Sequence, residues 1–117
     1  MEKKYLPFEV VKQFVEQITN INLLHSDRNG KSYLAIHVKD IKWLDFAQLN
    51  FWIFFNQDKN DIHGIHQLPS KIIGDSLIIL LEGELAHKEI KHISLTVPPP
   101  PEATTIERCE LNVSTVN

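Results

Sequence analysis

Six histidines (His25, His37, His63, His66, His87 and His92), a single cysteine (Cys109) and a serine after a Gly-Asp pair (Ser76) are the residues of this chain with chemistry to offer. Each implies a definite reaction class. A zinc site needs three or four ligands converging tetrahedrally, with spacings such as His-x-x-x-His or Cys-x-x-Cys. His63 and His66 are three residues apart and His87 and His92 five apart, which on a strand sends the rings of each pair to opposite faces. With one cysteine beside them, no metal and no cofactor is expected. A nucleophilic thiol needs a neighbouring base. Cys109 instead shares its alternation with Leu111 and Val113, against Arg108, Glu110, Asn112 and Ser114, and reads as a small apolar residue on the buried face of a strand. Glu82 and Glu84 are expected on one strand face, as the paired acids of a glycosidase would be, but nothing beside them would raise a pKa. The four glycines never approach the spacing of a phosphate loop.

The run Gly74-Asp75-Ser76-Leu77 resembles the signature of the GDSL esterase/lipase family. That resemblance implies a serine hydrolase with Ser76 as the nucleophile. In the family the motif stands near the start of a much longer α/β domain, and an Asp-x-x-His pair completes the triad. Here it opens an aliphatic strand, and none of Asp58, Asp61 and Asp75 has a histidine three residues later. The residues themselves read as a tight turn in which Gly74 and Asp75 reverse the chain.

The elements that must hold these residues follow from periodicity. Phe8, Val11, Phe14 or Val15, and Ile18 recur at helical spacing, with Glu9, Lys12, Gln13 and Glu16 between them, which predicts one amphipathic helix over 7–19. Pro7 suits its first turn and Thr19-Asn20 its stop. Two alternating segments, 21–24 and 33–38, flank Asn29-Gly30 and predict a hairpin. The alternation slips at Ile41 and Trp43, placing a break or bulge near Lys39-Asp40. Residues 49–55 are apolar on both faces, with Phe51, Ile53 and Phe55 against Trp52 and Phe54, as in a central strand covered on two sides. Further strands are expected over 62–68, 76–85, 90–97 and from Cys109 onward. The four prolines Pro98–Pro101 cannot pair in a sheet and connect the last two. They lack the basic neighbour of an SH3 ligand, since Glu102 follows. The sum is a mainly β (α+β) fold: a β-sandwich or partly open barrel of short antiparallel strands with one N-terminal helix, in one domain spanning 1–117.

Composition sets the outer limits. The chain has 117 residues, 43% hydrophobic and 23% charged, which is the mix of an ordinary globular domain with enough core to fold without staples. A lone cysteine forms no internal disulfide. There is no apolar run of signal-peptide or membrane-spanning length, so a cytoplasmic protein with no membrane partner is expected, and the Asn112-Val113-Ser114 sequon carries little meaning. The net charge of −3 is uneven: residues 1–74 carry nine Lys/Arg and eight Asp/Glu, and residues 75–117 carry three and seven. No basic stripe exists to neutralise phosphates, so direct nucleic-acid binding is not expected. The acidic second part (Glu82, Glu84, Glu89, Glu102, Glu107 and Glu110) suits a basic partner or simple solubility.

All ten aromatics lie between Tyr5 and Phe55. As an exposed platform, Trp43, Trp52 and Phe54 would stack on sugar rings, as in small carbohydrate-binding β-sandwiches. A domain this small needs them in its core. Without a nucleophile, base and metal in mutual reach, binding is the expected activity and no enzyme is expected. In size, charge and lack of a catalytic set, the chain resembles the bacterial immunity proteins that neutralise toxins in contact-dependent growth inhibition systems. The resemblance implies a basic toxin, for example a nuclease, as partner, with Glu82, Glu84, Glu89, Glu107 and Glu110 as the protein-binding residues that stand in for phosphates.

Overall fold

The computed structural model describes residues 6–26, 30–56, 61–98, 102 and 104–116. The chain opens with helix α1 (Phe8–Gln17), which buries Val11 and Phe14 completely. It leaves the helix at Ile18 (φ −75°, ψ 123°), two residues earlier than the periodicity suggests. The β-branched pair Ile18-Thr19 instead begins strand β1 (Ile18–Ser26), and the carbonyl of Gln17 accepts the amide of Lys39 at 2.8 Å. Strand β1 pairs antiparallel with β2 (Lys31–Val38), matching Ile21 to Ile36 and Leu23 to Leu34. Gly30 supplies a positive φ of 65° at the end of the connection. Asn29, and with it half of the expected turn pair, lies outside the described residues.

The largest departure from expectation follows. The break at Lys39-Asp40 introduces a second helix, α2 (Lys42–Asn50), where a strand phase had been read from Ile41 and Trp43. Leu44, Ala47 and Phe51 recur at three- and four-residue spacing and are fully buried, so the helical period wins. Asp40 assists the start, its Oδ1 accepting the amide of Lys42 at 3.0 Å. Leu49, expected in a central strand, sits on the solvent side of α2 at 72% exposure. The strand itself is shorter: β3 (Trp52–Phe55).

Beyond it come β4 (Ile62–Gly64), a 3-10 turn over Ile65–Gln67, β5 (Ser70–Ile73), β6 (Ser76–Leu81), a second 3-10 turn over Gly83–His87, β7 (His92–Thr96), β8 (Cys109–Asn112) and β9 (Ser114–Val116). Strand β5 lies between the expected strands over 62–68 and 76–85, where the sequence predicts none. The expected strands over 62–68 and 76–85 each end early in a 3-10 turn, the second where Gly83 takes φ 63°. Gly74 and Asp75 form the tight turn expected of them, joining β5 to β6 with Ile73 opposite Ser76. Pro99–Pro101 lie outside the described residues.

Among the described residues the strands form two open sheets, ordered β5-β6-β2-β1-β9 and β4-β3-β7-β8, so the fold is mainly β with two α-helices and the sheets do not close into a barrel. The pairs are antiparallel except β9, which runs parallel to β1. A single residue, Val113, separates β8 in one sheet from β9 in the other, so the C-terminus ties the sheets together. Ile21, Leu23, Leu34, Ile36, Leu77 and Ile79 from one sheet and Ile53, Phe55, Ile93 and Leu95 from the other belong to one buried cluster. Helix α1 contacts β1 of the first sheet and β7 and β8 of the second. An aromatic group joins the helices to this core: Phe14 lies 5.0 Å from Phe51 and 6.0 Å from Trp43 between ring centroids.

Candidate functional site

Of the chemistry-bearing side chains, His37 and Ser76 meet on the outer face of the five-stranded sheet. Alternation along β1, β2 and β6 sends Leu23, Leu34, Ile36, Leu77 and Ile79 inward, so Asn22, His37 and Ser76 face the other way. His37 stands directly opposite Ser76, and its Nδ1 lies 2.5 Å from Ser76 Oγ. On its other side His37 Nε2 lies 3.2 Å from Asn22 Nδ2. Asp75 Oδ1 lies 3.5 Å from the serine hydroxyl. The GDSL-type signature calls for a histidine three residues after an aspartate. The imidazole comes instead from a position 39 residues upstream, delivered by strand pairing, and no local spacing signals it.

A serine, an imidazole and an amide in series have the parts of an acyl-transfer triad, but the hydrogen-bond polarity runs the other way. In the tautomer whose Nε2 accepts from the Asn22 amide, Nδ1 carries the proton. Nδ1–H then donates to Ser76 Oγ, and the serine proton points toward Asp75. A histidine that donates to serine does not remove its proton. Ser76 is also only 6% exposed and sits in a strand paired on both sides, with His37 and with Ile73, so the amides around it are engaged in ladders rather than gathered as an oxyanion hole. Beside it Tyr33, Pro69, Ile73, Ile78 and Leu80 line a shallow apolar cleft of about 280 Å³.

The five glutamates expected to meet a partner are all exposed, and they lie at three places in the fold. Glu82 stands at the N-cap position and Glu84 in the first turn of the 3-10 helix Gly83–His87 that follows β6, so the two do not share a strand face as their spacing suggests. Glu89 lies on the approach to β7, 3.5 Å from Lys91. Glu107 and Glu110 belong to the β8 edge of the second sheet, where Glu110 pairs with Ser94 and the carbonyl of Glu107 accepts the Thr96 hydroxyl at 2.5 Å. Among the described residues, Glu89 is the member of this set with a cation partner. Glu102 is exposed as well.

The histidines are dispersed. His25 Nδ1 lies 2.8 Å from Ser32 Oγ, His63 Nε2 lies 2.7 Å from Asp61, His66 packs edge-on to Trp52, and His92 Nδ1 lies 3.0 Å from Asn112 Oδ1. Among the described residues no three His, Cys, Asp or Glu side chains converge to hold a metal ion, and no helix is long and apolar enough to cross a membrane. Asp61 is the centre of a small charged group. Burial opposes its ionisation, but hydrogen bonds and attraction from Lys88 and His63 outweigh that and hold its carboxyl below the ordinary range. Cys109 is half-buried and packs on the core with Leu111 and Val113, as its alternation predicts, and burial pushes its thiol pKa up despite attraction from Lys12.

The aromatics proposed as a sugar platform do not form one. Phe54 is 1% exposed with the Arg108 guanidinium over its ring, Trp52 rests against His66, and Trp43 lies on α2 against Phe14 and Phe46. No protein-family model matches the chain, and neither does any curated protein or solved structure.

Proposed function

We propose that this chain is a non-enzymatic protein-binding domain of the immunity kind, a bacterial cytoplasmic inhibitor that covers the basic site of a toxin such as a nuclease. The observation that carries the reading is the acidic set of the C-terminal part: Glu82, Glu84, Glu89, Glu107 and Glu110 are all exposed, and four of the five have no cation partner among the described residues. Carboxylates held in solvent without partners break no ion pair when they turn to a basic surface, and they speed encounter with it. The reversed polarity of the Asn22–His37–Ser76 array and the engagement of the neighbouring amides support binding over hydrolysis.

The test is a pull-down from the source cells with the intact protein and with a variant carrying all five Glu→Gln changes. A basic protein is expected on the wild-type bait at about 50 mM salt, released at about 500 mM where screening is nearly complete, and absent from the variant. Its activity, assayed as nucleic-acid cleavage, should fall on adding the wild-type chain. A partner held equally by both baits, or no salt-sensitive partner at all, overturns the proposal.

A further inference from the structure

Helices α1 and α2 leave a groove of about 410 Å³ between them, lined by Val10, Gln13, Asp40, Lys42, Trp43 and Phe46. The groove is broadly open to solvent, with a volume in the range of small-molecule sites and an apolar lining that carries a few polar groups. Trp43 and Phe46 are one helical turn apart and pack edge to face, with centroids 5.9 Å apart and planes at 81°. The two half-buried rings therefore make a corner rather than a stack. The rim carries one charge of each sign. The Asp40 carboxylate is held by the Lys42 amide at 3.0 Å, and the Lys42 side chain is exposed. The two charges do not pair with each other, and among the described residues neither has another ion-pair partner. Gln13 adds an amide from α1 that both donates and accepts.

An unpaired carboxylate and an unpaired ammonium on one rim, above an aromatic corner, complement a small zwitterion with an apolar tail. We propose that this groove binds a free α-amino acid with an apolar side chain. The ligand ammonium pairs with Asp40 and lies near the aromatic faces, which favour a cation. Its carboxylate pairs with Lys42 and Gln13, and its side chain packs on Val10, Trp43 and Phe46. A neutral sugar would use the tryptophan but leave both rim charges uncompensated. A simple anion meets Asp40, and a simple cation meets Lys42. The site uses none of the five glutamates of the toxin-binding reading, so either proposal stands if the other fails.

The test isolates Trp43 with a Trp52→Phe background and follows indole emission during titration with L-phenylalanine, L-leucine, N-acetyl-L-phenylalanine, L-phenylalaninamide and glucose. Saturable changes are expected with the two amino acids. Loss of either ligand charge should weaken binding about tenfold or more. Asp40→Asn, which keeps an acceptor for the Lys42 amide, should weaken L-phenylalanine about tenfold while leaving N-acetyl-L-phenylalanine unchanged, and Lys42→Gln should do the same with respect to L-phenylalaninamide. Thermal melts of each variant report whether the fold is kept. Binding of glucose in preference to L-phenylalanine, equal binding of the N-acetylated and free amino acid, or no saturation by about 10 mM, beyond the millimolar scale of weak ligands, overturns the proposal.

Discussion

His37 on β2 and Ser76 on β6 stand opposite each other, with Nδ1 2.5 Å from Oγ. Although 39 residues separate them in the chain, the contact is as short as any local one, because β2 and β6 are neighbours in the five-stranded sheet. In the tautomer whose far nitrogen accepts from the Asn22 amide, Nδ1–H donates a hydrogen bond to the serine oxygen rather than accepting the serine proton. Ser76→Ala should therefore cost about 1–2 kcal/mol of stability through the unpaired Nδ1–H, read from denaturant unfolding, and a fluorophosphonate probe should fail to label the wild-type serine. Stoichiometric labelling of Ser76 that disappears in His37→Gln would contradict that polarity.

Phe14 ties α1 to the aromatic group around Phe51 and is fully buried. Truncation to Ala removes a large buried ring and leaves a cavity, which costs about 3–5 kcal/mol. Against a total stability of about 5–15 kcal/mol for a domain, the melting temperature should drop sharply. Leu49→Ala, by contrast, alters a residue that is 72% exposed and should leave the melting curve nearly unchanged.

Asp61 gives the fold a defined acid sensitivity. Its folded pKa lies below the ordinary value of 3.8. The stabilisation is therefore complete above that value and is lost as pH falls through the depressed folded pKa. Asp61→Asn should cost about 1–3 kcal/mol at neutral pH, as expected for losing charge-assisted hydrogen bonds, and should flatten the fall in stability below about pH 4. Chemical unfolding at a series of pH values measures both. An unchanged acid limb in the variant would show that other carboxylates control it.

The hydroxyl of Ser94 is the buried side-chain polar atom that finds no hydrogen-bond partner among the described residues. An unsatisfied buried hydroxyl costs about 1–3 kcal/mol, so Ser94→Ala should leave stability unchanged or raise it by about 1 kcal/mol. A loss of more than that would mean the hydroxyl has a partner after all.

Cys109 packs on the core and its thiol pKa is raised. Because the thiolate is the reactive form, alkylation at neutral pH should run slower than that of a free thiol and recover in denaturant. Reaction at the free-thiol rate in the native protein would show that the strand end opens readily.

The sequence by itself determined the class of fold, α1, the β1–β2 hairpin and the buried face of β8, because each is a periodicity read within a dozen neighbouring residues. It also determined the Gly74-Asp75 turn and the acidity of the second part. It did not determine α2: Ile41 and Trp43 fit a strand phase as well as a helix, and only the burial of Leu44 and Ala47 against α1 and the core settles the period. Tertiary structure alone decided that β8 and β9 belong to different sheets, that His37 meets Ser76, and that Trp43 shares an interhelical groove with Val10 and Gln13 of α1. Those are pairings between distant segments. Local propensity is blind to them, since they are fixed by which apolar faces bury each other and by the register that burial imposes on the strands between.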